Sequence, residues 1–258
     1  MKELIHSTFA VQLIAWLKAS IKMRYRKTWL GLVWVILNPI ILLAAQGFVF
    51  SHILNLETKT YILYLVSGWL PWIYVSQTLQ MGNTQLRTHS FAIKAFNIKP
   101  QIIVTSLSIE NLINFAIMQI LILLPLLFYF DYSPSIVFLW FLASIPLFLS
   151  VLALTFISST SNVIIRDVNF VVNFLLSVLY FFTPIFYTPN HVPAAYKFVL
   201  YANPVSIILM PFQLPALPGY NFQDWILAYM RSITVSLVLV FLSSMIWKKF
   251  KSSFYVRL

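Results

Sequence analysis

Apolar residues run through this chain in long blocks, and the polar positions that interrupt them fall at nearly regular intervals. Six blocks reach the roughly 20 residues that a helix needs to cross a bilayer. They lie near 29–51, 61–83, 103–130, 136–158, 168–187 and 226–247. Some are longer than necessary, and tilt or bending absorbs the excess. Pro39, Pro125, Pro146 and Pro184 fall inside these blocks, and each predicts a kink that neighbouring helices can accommodate. Ahead of the first block, in residues 4–21, Ile5, Phe9, Leu13, Trp16 and Leu17 recur at helical spacing. Thr8, Gln12, Lys18 and Lys22 point in other directions. This pattern predicts an amphipathic helix, too interrupted to span, lying in the headgroup region; its 4–21 stretch would cover about 27 Å. The predicted fold is therefore an all-α integral membrane protein, one transmembrane domain over residues 1–258, with six spans and an N-terminal interface helix.

Two connections add to this outline. Residues 84–102 hold Arg87, His89, Lys94, Asn97, Lys99 and Pro100 and have room for a short helix. Residues 188–224 are longer. The polar turns Thr188-Pro189-Asn190-His191 and Pro218-Gly219-Tyr220-Asn221 bracket an apolar middle, Phe198 to Met210, which Asn203-Pro204 breaks in two. Neither half can cross a bilayer, so this segment predicts re-entrant or interfacial helices shielded by protein or a watery cavity.

Composition agrees with the outline. Of 258 residues, 60% are hydrophobic and 9% charged, against about 25% charged in a soluble domain. The net charge of +11 would point to nucleic acid in a soluble protein, but here its distribution reads as topology. Between Arg24, Arg26 and Lys27 and the next charge, Glu57, lies only uncharged chain, opened by Trp29 at the water–lipid boundary. With the N-terminus inside, the inner segments hold 14 of the 17 basic residues; the outer ones hold Lys59 and Lys197, and Arg231 lies just within the sixth span, where it would snorkel outward. Lys and Arg accumulate on cytoplasmic loops, so both termini are expected in the cytoplasm. The N-terminus carries no cleavable-signal pattern. There are no cysteines, hence neither disulfides nor thiolate metal sites.

Motifs for an active site are not found. None of the five glycines is followed by lysine, so no P-loop exists, and this chain cannot bind ATP by that device. The four histidines are dispersed and no metal site is expected. Glu110, two turns inside the third block, is the buried acid most in need of an explanation; pairing with Arg24 or Arg26 competes with a proton or cation site. Arg166-Asp167 is expected to cap and anchor the turn between blocks four and five. Aromatic residues make up 17% of the chain. An interfacial belt accounts for those near block ends, but Trp69 and Trp72, beside Pro71, fall near mid-membrane.

Arg24-Tyr25-Arg26, Leu30-Gly31, Trp34 and Asn38-Pro39 resemble the first-helix opening of ABC-2 type permeases. Within that family the likeness is to exporters of O-antigen, capsule and teichoic-acid-type polymers. The resemblance implies a homodimer in the bacterial inner membrane, working with two copies of a cytoplasmic ATPase subunit that holds the ATP and Mg; this chain would carry no cofactor. It implies an undecaprenyl-linked polysaccharide as cargo, most simply O-antigen, and helices in 188–224 that help close the exit. It also turns the 4–21 helix and the 84–102 loop into contacts for the ATPase, with Phe9, Leu13, Trp16, Arg24, Arg26, Arg87, His89 and Lys94 as candidates. For the pathway, Trp34, Tyr64, Trp69, Trp72, Tyr180 and Phe181 offer aromatic faces on which sugar rings can stack without demanding one linkage. The alternatives are an ABC-2 exporter of another substrate (capsule, teichoic acid, lipid or drug) and a proton-coupled secondary transporter. A membrane enzyme would need clustered His, Asp or Glu, which the sequence lacks.

Overall fold

The computed structural model describes residues 9–24, 26, 37, 40–45, 47–49, 58–129 and 133–257. Most of the first expected span, 29–51, and the start of the interface helix, 4–8, lie outside the described residues, as does Trp34. Among the described residues the fold is wholly helical. In chain order the helices are α1 (Phe9–Arg24), α2 (Thr58–Gly82), α3 (Gln85–Thr88), α4 (Ser90–Phe96), α5 (Pro100–Met118), α6 (Leu124–Tyr129), α7 (Ser135–Ile164), α8 (Val168–Phe182), α9 (Phe198–Ala202), α10 (Pro204–Gln213) and α11 (Phe222–Arg257). Three stretches are long and apolar enough to cross a membrane: Pro100–Tyr129, Ser135–Ile164 and Phe222–Phe250.

Helix α2 forms the centre. Leu63, Leu65, Val66 and Leu70 are fully enclosed, and α5, α7, α8 and α10 pack around it. A helix buried on nearly every side is surrounded by partners rather than by lipid. The α7–α11 pair packs most extensively, joined by a hydroxyl seam: Ser150 Oγ lies 2.8 Å from Ser236 Oγ, which in turn donates to the carbonyls of Ser232 (2.7 Å) and Pro146 (2.8 Å). Small hydroxylated residues allow close approach and satisfy each other where no water is at hand. Pro125 is accommodated by a π turn at Gln119–Leu123 joining α5 to α6. A proline at 125 has no N–H and would crowd the carbonyl four residues earlier, and the wider turn relieves that crowding.

The fifth expected span is shorter than the apolar block predicted. Helix α8 stops at Phe182, 15 residues long and so about 22 Å, because Thr183 precedes Pro184 and adopts extended geometry (φ −93°, ψ 131°). Residues 183–187 continue as irregular chain inside the core. The break expected at Asn203-Pro204 is present, and the two halves there meet at 97°. Asn203 Oδ1 accepts from the Val205 N–H (3.0 Å), capping α10, while its Nδ2 donates to Thr183 Oγ1 (2.9 Å). Pro204 fills the first helical position, where a missing N–H costs nothing.

Irregular chain inside a bundle exposes carbonyls that no helix satisfies. Here, side chains do so. Tyr64 Oη shares its one O–H between the carbonyls of Pro184 (2.8 Å) and Tyr187 (3.1 Å), Tyr61 Oη donates to that of Phe186 (3.1 Å), and Gln213 Nε2 to Pro184 (2.7 Å). At the end of α10, Pro215 cannot donate to the Pro211 carbonyl, and Trp225 Nε1 does (2.9 Å); Trp140 Nε1 serves Phe212 (2.8 Å).

Gly68 is what lets Gln213 reach its carbonyl, since a Cβ there would overlap the Gln213 amide. Gly68→Ala and Gln213→Leu should each destabilise the protein by about 1–3 kcal/mol, because the single Tyr64 O–H cannot then satisfy both the Pro184 and the Tyr187 carbonyl. Thermal unfolding in detergent, followed by size-exclusion recovery, measures this; an unchanged midpoint for both variants would refute the role given to that amide.

Candidate functional site

Two regions of the bundle have site-like geometry. The first lies between α2 and α8. Trp72, Ser76, Gln80, Leu176, Ser177, Tyr180 and Phe181 line an open groove of about 300 Å³. Trp72 and Tyr180 have ring centroids 5.6 Å apart; Tyr180 meets Phe181 edge-on at 5.4 Å and Phe186 at 5.0 Å. Phe181 is 72% exposed. Beyond the aromatic end, both walls turn polar. Ser76 and Gln80 of α2 and Ser177 of α8 line this part, and Asn173 and Asn169 continue the Ser177 stripe along α8 at intervals of four. Asn173 Nδ2 reaches Asn169 Oδ1 (3.4 Å), and the Ser177 hydroxyl donates to the Asn173 carbonyl (3.0 Å). Open amides and hydroxyls on helices of a membrane bundle fit a wet channel, since such groups facing hydrocarbon would go unsatisfied.

The second region joins α1 to the bundle at the end that carries the basic connections. Arg24 Nη2 lies 3.1 Å from Glu110 Oε2, and Arg24 Nη1 donates to Asn111 Oδ1 (2.9 Å). Asn111 Nδ2 continues to Thr78 Oγ1 on α2 (3.1 Å). The Glu110 side chain is 6% exposed, with Ser20 and Ser106 against its carboxylate. A lone carboxylate at that depth would be costly; a guanidinium with aligned N–H groups removes most of that cost. Trp16 meets His89 edge-on at 5.4 Å, and a His89 ring nitrogen lies 3.1 Å from the Gln85 carbonyl. A cavity of about 150 Å³ between these groups is lined by Trp16, Ser20, Arg24, His89 and Glu110 among others. Among the described residues, no group of His, Asp and Glu is arranged to hold a metal ion.

Against this geometry, the family model described as ABC-2 type transporter matches residues 11–213. The chain belongs to the ABC-2 type transporter family. Among curated relatives, it is 26% identical over 203 residues to the O-antigen export system permease protein RfbA of Myxococcus xanthus, covering 78% of each chain. It is 21% identical over 222 residues to the protein of that name from Klebsiella pneumoniae, covering 85% of each.

In this ABC-2 chain the candidate residues separate clearly. Trp72, Tyr180 and Phe181 meet at the groove. Trp72 is itself buried, at 5% exposure, with one edge at the groove; Trp69 and Tyr64, 3% and 1% exposed, do not reach it, and Tyr64 is occupied with the carbonyls of 184 and 187. Trp16, Arg24 and His89 come together against α5. Leu13 and Arg87 are half-buried nearby, whereas Phe9, Arg26 and Lys94 are exposed. Gln12 faces inward on α1, opposite to the direction that an apolar-face reading gave it, and lies beside Ala15, Trp16, Ala92, Phe96 and Ile98. Arg166 and Asp167 are exposed and form no ion pair among the described residues; α8 is started by the Asp167 carbonyl, which accepts from the Phe170 and Val171 N–H groups, and not by its carboxylate. The polar stripes were missed by attention to aromatic residues, although Asn169, Asn173 and Ser177 at four-residue intervals in an apolar block were a readable signal.

The charge pair sets up a double-mutant test. Arg24→Gln and Glu110→Gln should each cost about 3 kcal/mol, since each leaves a buried charge uncompensated. The double variant should cost clearly less than their sum. Strict additivity in unfolding midpoints would mean that the pair does not hold α1 in place.

Proposed function

We propose that this chain is the transmembrane subunit of an ATP-driven exporter that moves an undecaprenyl-linked polysaccharide, in the O-antigen class, across the bacterial inner membrane. The observation that carries this reading is the groove between α2 and α8, with aromatic rings at one end and amides and hydroxyls along both walls. Sugars present apolar ring faces and many hydroxyls, and that combination of surfaces suits a polymer that must slide. A drug or a simple lipid would need a closed apolar pocket. The names of the two relatives, both O-antigen export permeases, support the same cargo class.

In this reading the chain spans the membrane six times with both termini in the cytoplasm, and the broken pair α9–α10 is a re-entrant element at the outer exit. Two copies form the pathway: the groove of one chain is open on one side, and the outward face of α8 carries Phe170, Phe174 and Phe181, each at least 68% exposed. A separate ATPase, in two copies and holding ATP and Mg, docks against α1 and the α3–α4 segment. Its motion reaches the groove through Arg24, Asn111 and Thr78, because Thr78 lies within two residues of Ser76 and Gln80 on the groove wall. Glu110 is occupied by Arg24 in this arrangement, which leaves a proton-relay mechanism without its one candidate.

Phe181→Ala, which removes the exposed ring of the groove, should lower surface polysaccharide about tenfold at unchanged membrane abundance, if stacking supplies about 1.4 kcal/mol along the path. Trp69→Ala and Trp72→Ala, which empty buried positions, should instead lower abundance. Full surface polymer in the Phe181→Ala variant would overturn the groove assignment. A purification in which no P-loop ATPase accompanies the chain would overturn the exporter reading itself.

A further inference from the structure

Among the described residues, Lys59, Lys197 and Arg231 are the basic residues away from the basic end of the bundle. Arg231 meets an aromatic ring, and Lys197 lies near that ring in sequence. Arg231 Cζ is 5.8 Å from the centroid of Tyr201. Lys197, the residue that starts α9, precedes Tyr201 by four positions and so lies one turn away on the same stripe. Lys197 and Arg231 are exposed, and Tyr201 is 57% exposed. Among the described residues Arg231 has no ion pair, and Asp224, the acid on its own helix, stands two turns nearer the helix start.

Arg231 is nine residues, about 14 Å, into α11, flanked by the exposed apolar side chains of Leu227 and Met230. A guanidinium at such a position requires acceptors, and among the described residues Arg231 has only the Tyr201 ring beneath it, in a cation–π contact. That contact uses the face of the guanidinium and leaves its N–H groups for a further acceptor. A planar donor edge matches two oxygens of a phosphate, and Lys197 adds a second point charge.

We propose that Lys197, Tyr201 and Arg231 form a binding site for lipid-borne phosphate in the outer leaflet; the leaflet rests on the topology given under Proposed function. Arg231 takes two phosphate oxygens, Tyr201 orients Arg231, and Lys197 balances the remaining charge. The adjoining cavity, lined by Tyr64, Tyr201 and Arg231 among others, measures about 40 Å³, enough for a water but not an acyl chain. The lipid is therefore held by its head, with its chains along the exposed Leu227 and Met230 face of α11. A phospholipid headgroup and the phosphate of a polyprenyl carrier share this chemistry.

The test uses the full-length protein in a phosphate-free detergent, titrated separately with undecaprenyl phosphate, phosphatidylglycerol and diacylglycerol, with bound lipid read by native mass spectrometry. Both phosphate lipids should be retained in preference to diacylglycerol. Arg231→Gln should weaken their retention about fivefold or more and Lys197→Gln about twofold, while Lys248→Gln at the basic end leaves it unchanged. Tyr201→Leu supplies the same reading if Arg231→Gln does not fold. Preference for undecaprenyl phosphate would identify the site with the cargo carrier; equal retention of both would identify it with bulk lipid. Retention indifferent to phosphate, or unaltered in Arg231→Gln and Tyr201→Leu, would overturn the proposal. Because this readout involves neither ATPase nor export, it stands or falls separately from the exporter reading.

Discussion

A backbone carbonyl without a partner costs several kcal/mol in a medium that offers no water, and this bundle contains several such carbonyls by design of its sequence. Pro184 ends α8 early, Asn203-Pro204 breaks the following apolar segment, and Pro215 removes a donor from the end of α10. The resulting orphans at 184, 186, 187, 211 and 212 each receive a donor from Tyr61, Tyr64, Trp140, Gln213 or Trp225. The donors come from α2, α7, α10 and α11, so satisfying the irregular chain also ties four helices together. With that requirement met, α8 can stop short and present its polar stripe to α2. The groove is a consequence of the broken backbone beside it.

At the other end, the constraint is charge. Arg24, Glu110, Asn111 and Thr78 form one chain of polar contacts from α1 through α5 to α2. Each link is short: Arg24 is on α1, Glu110 and Asn111 are neighbours on α5, and Thr78 is on α2. A displacement of α1 cannot leave Thr78 indifferent without breaking one of these bonds. Tyr74, one turn before Thr78, adds its hydroxyl to the Ser108 carbonyl at 3.2 Å, so α2 and α5 are joined at two levels.

Much of this was readable from the sequence because hydrocarbon permits few alternatives. Block lengths located the long helices at 100–129, 135–164 and 222–250. The near absence of buried charge narrowed the partners of Glu110 to Arg24 or Arg26, and Arg24 is the one that reaches it. Asn203-Pro204 marked the bend. What stayed illegible were facts of packing. Apolar composition could not say that residues 183–187 leave the helix, nor that Tyr64 and Trp69 turn inward while Trp72 reaches a groove; those depend on which carbonyls need a donor. The Asn169, Asn173, Ser177 stripe was visible but carried no meaning until α2 supplied the wall of Ser76 and Gln80 opposite Ser177.

The central claim is that this wall is wet and conducts the polymer. The chain has no cysteine, so single cysteines report cleanly. Gln80→Cys, Asn173→Cys and, as a lipid-facing control on α7, Phe141→Cys would be treated in membranes with a charged, water-soluble thiol reagent. The account predicts rapid labelling of Gln80→Cys and Asn173→Cys, none of Phe141→Cys, and protection of the first two when polymer accumulates. Labelling of Gln80→Cys and Asn173→Cys no faster than that of Phe141→Cys would contradict it.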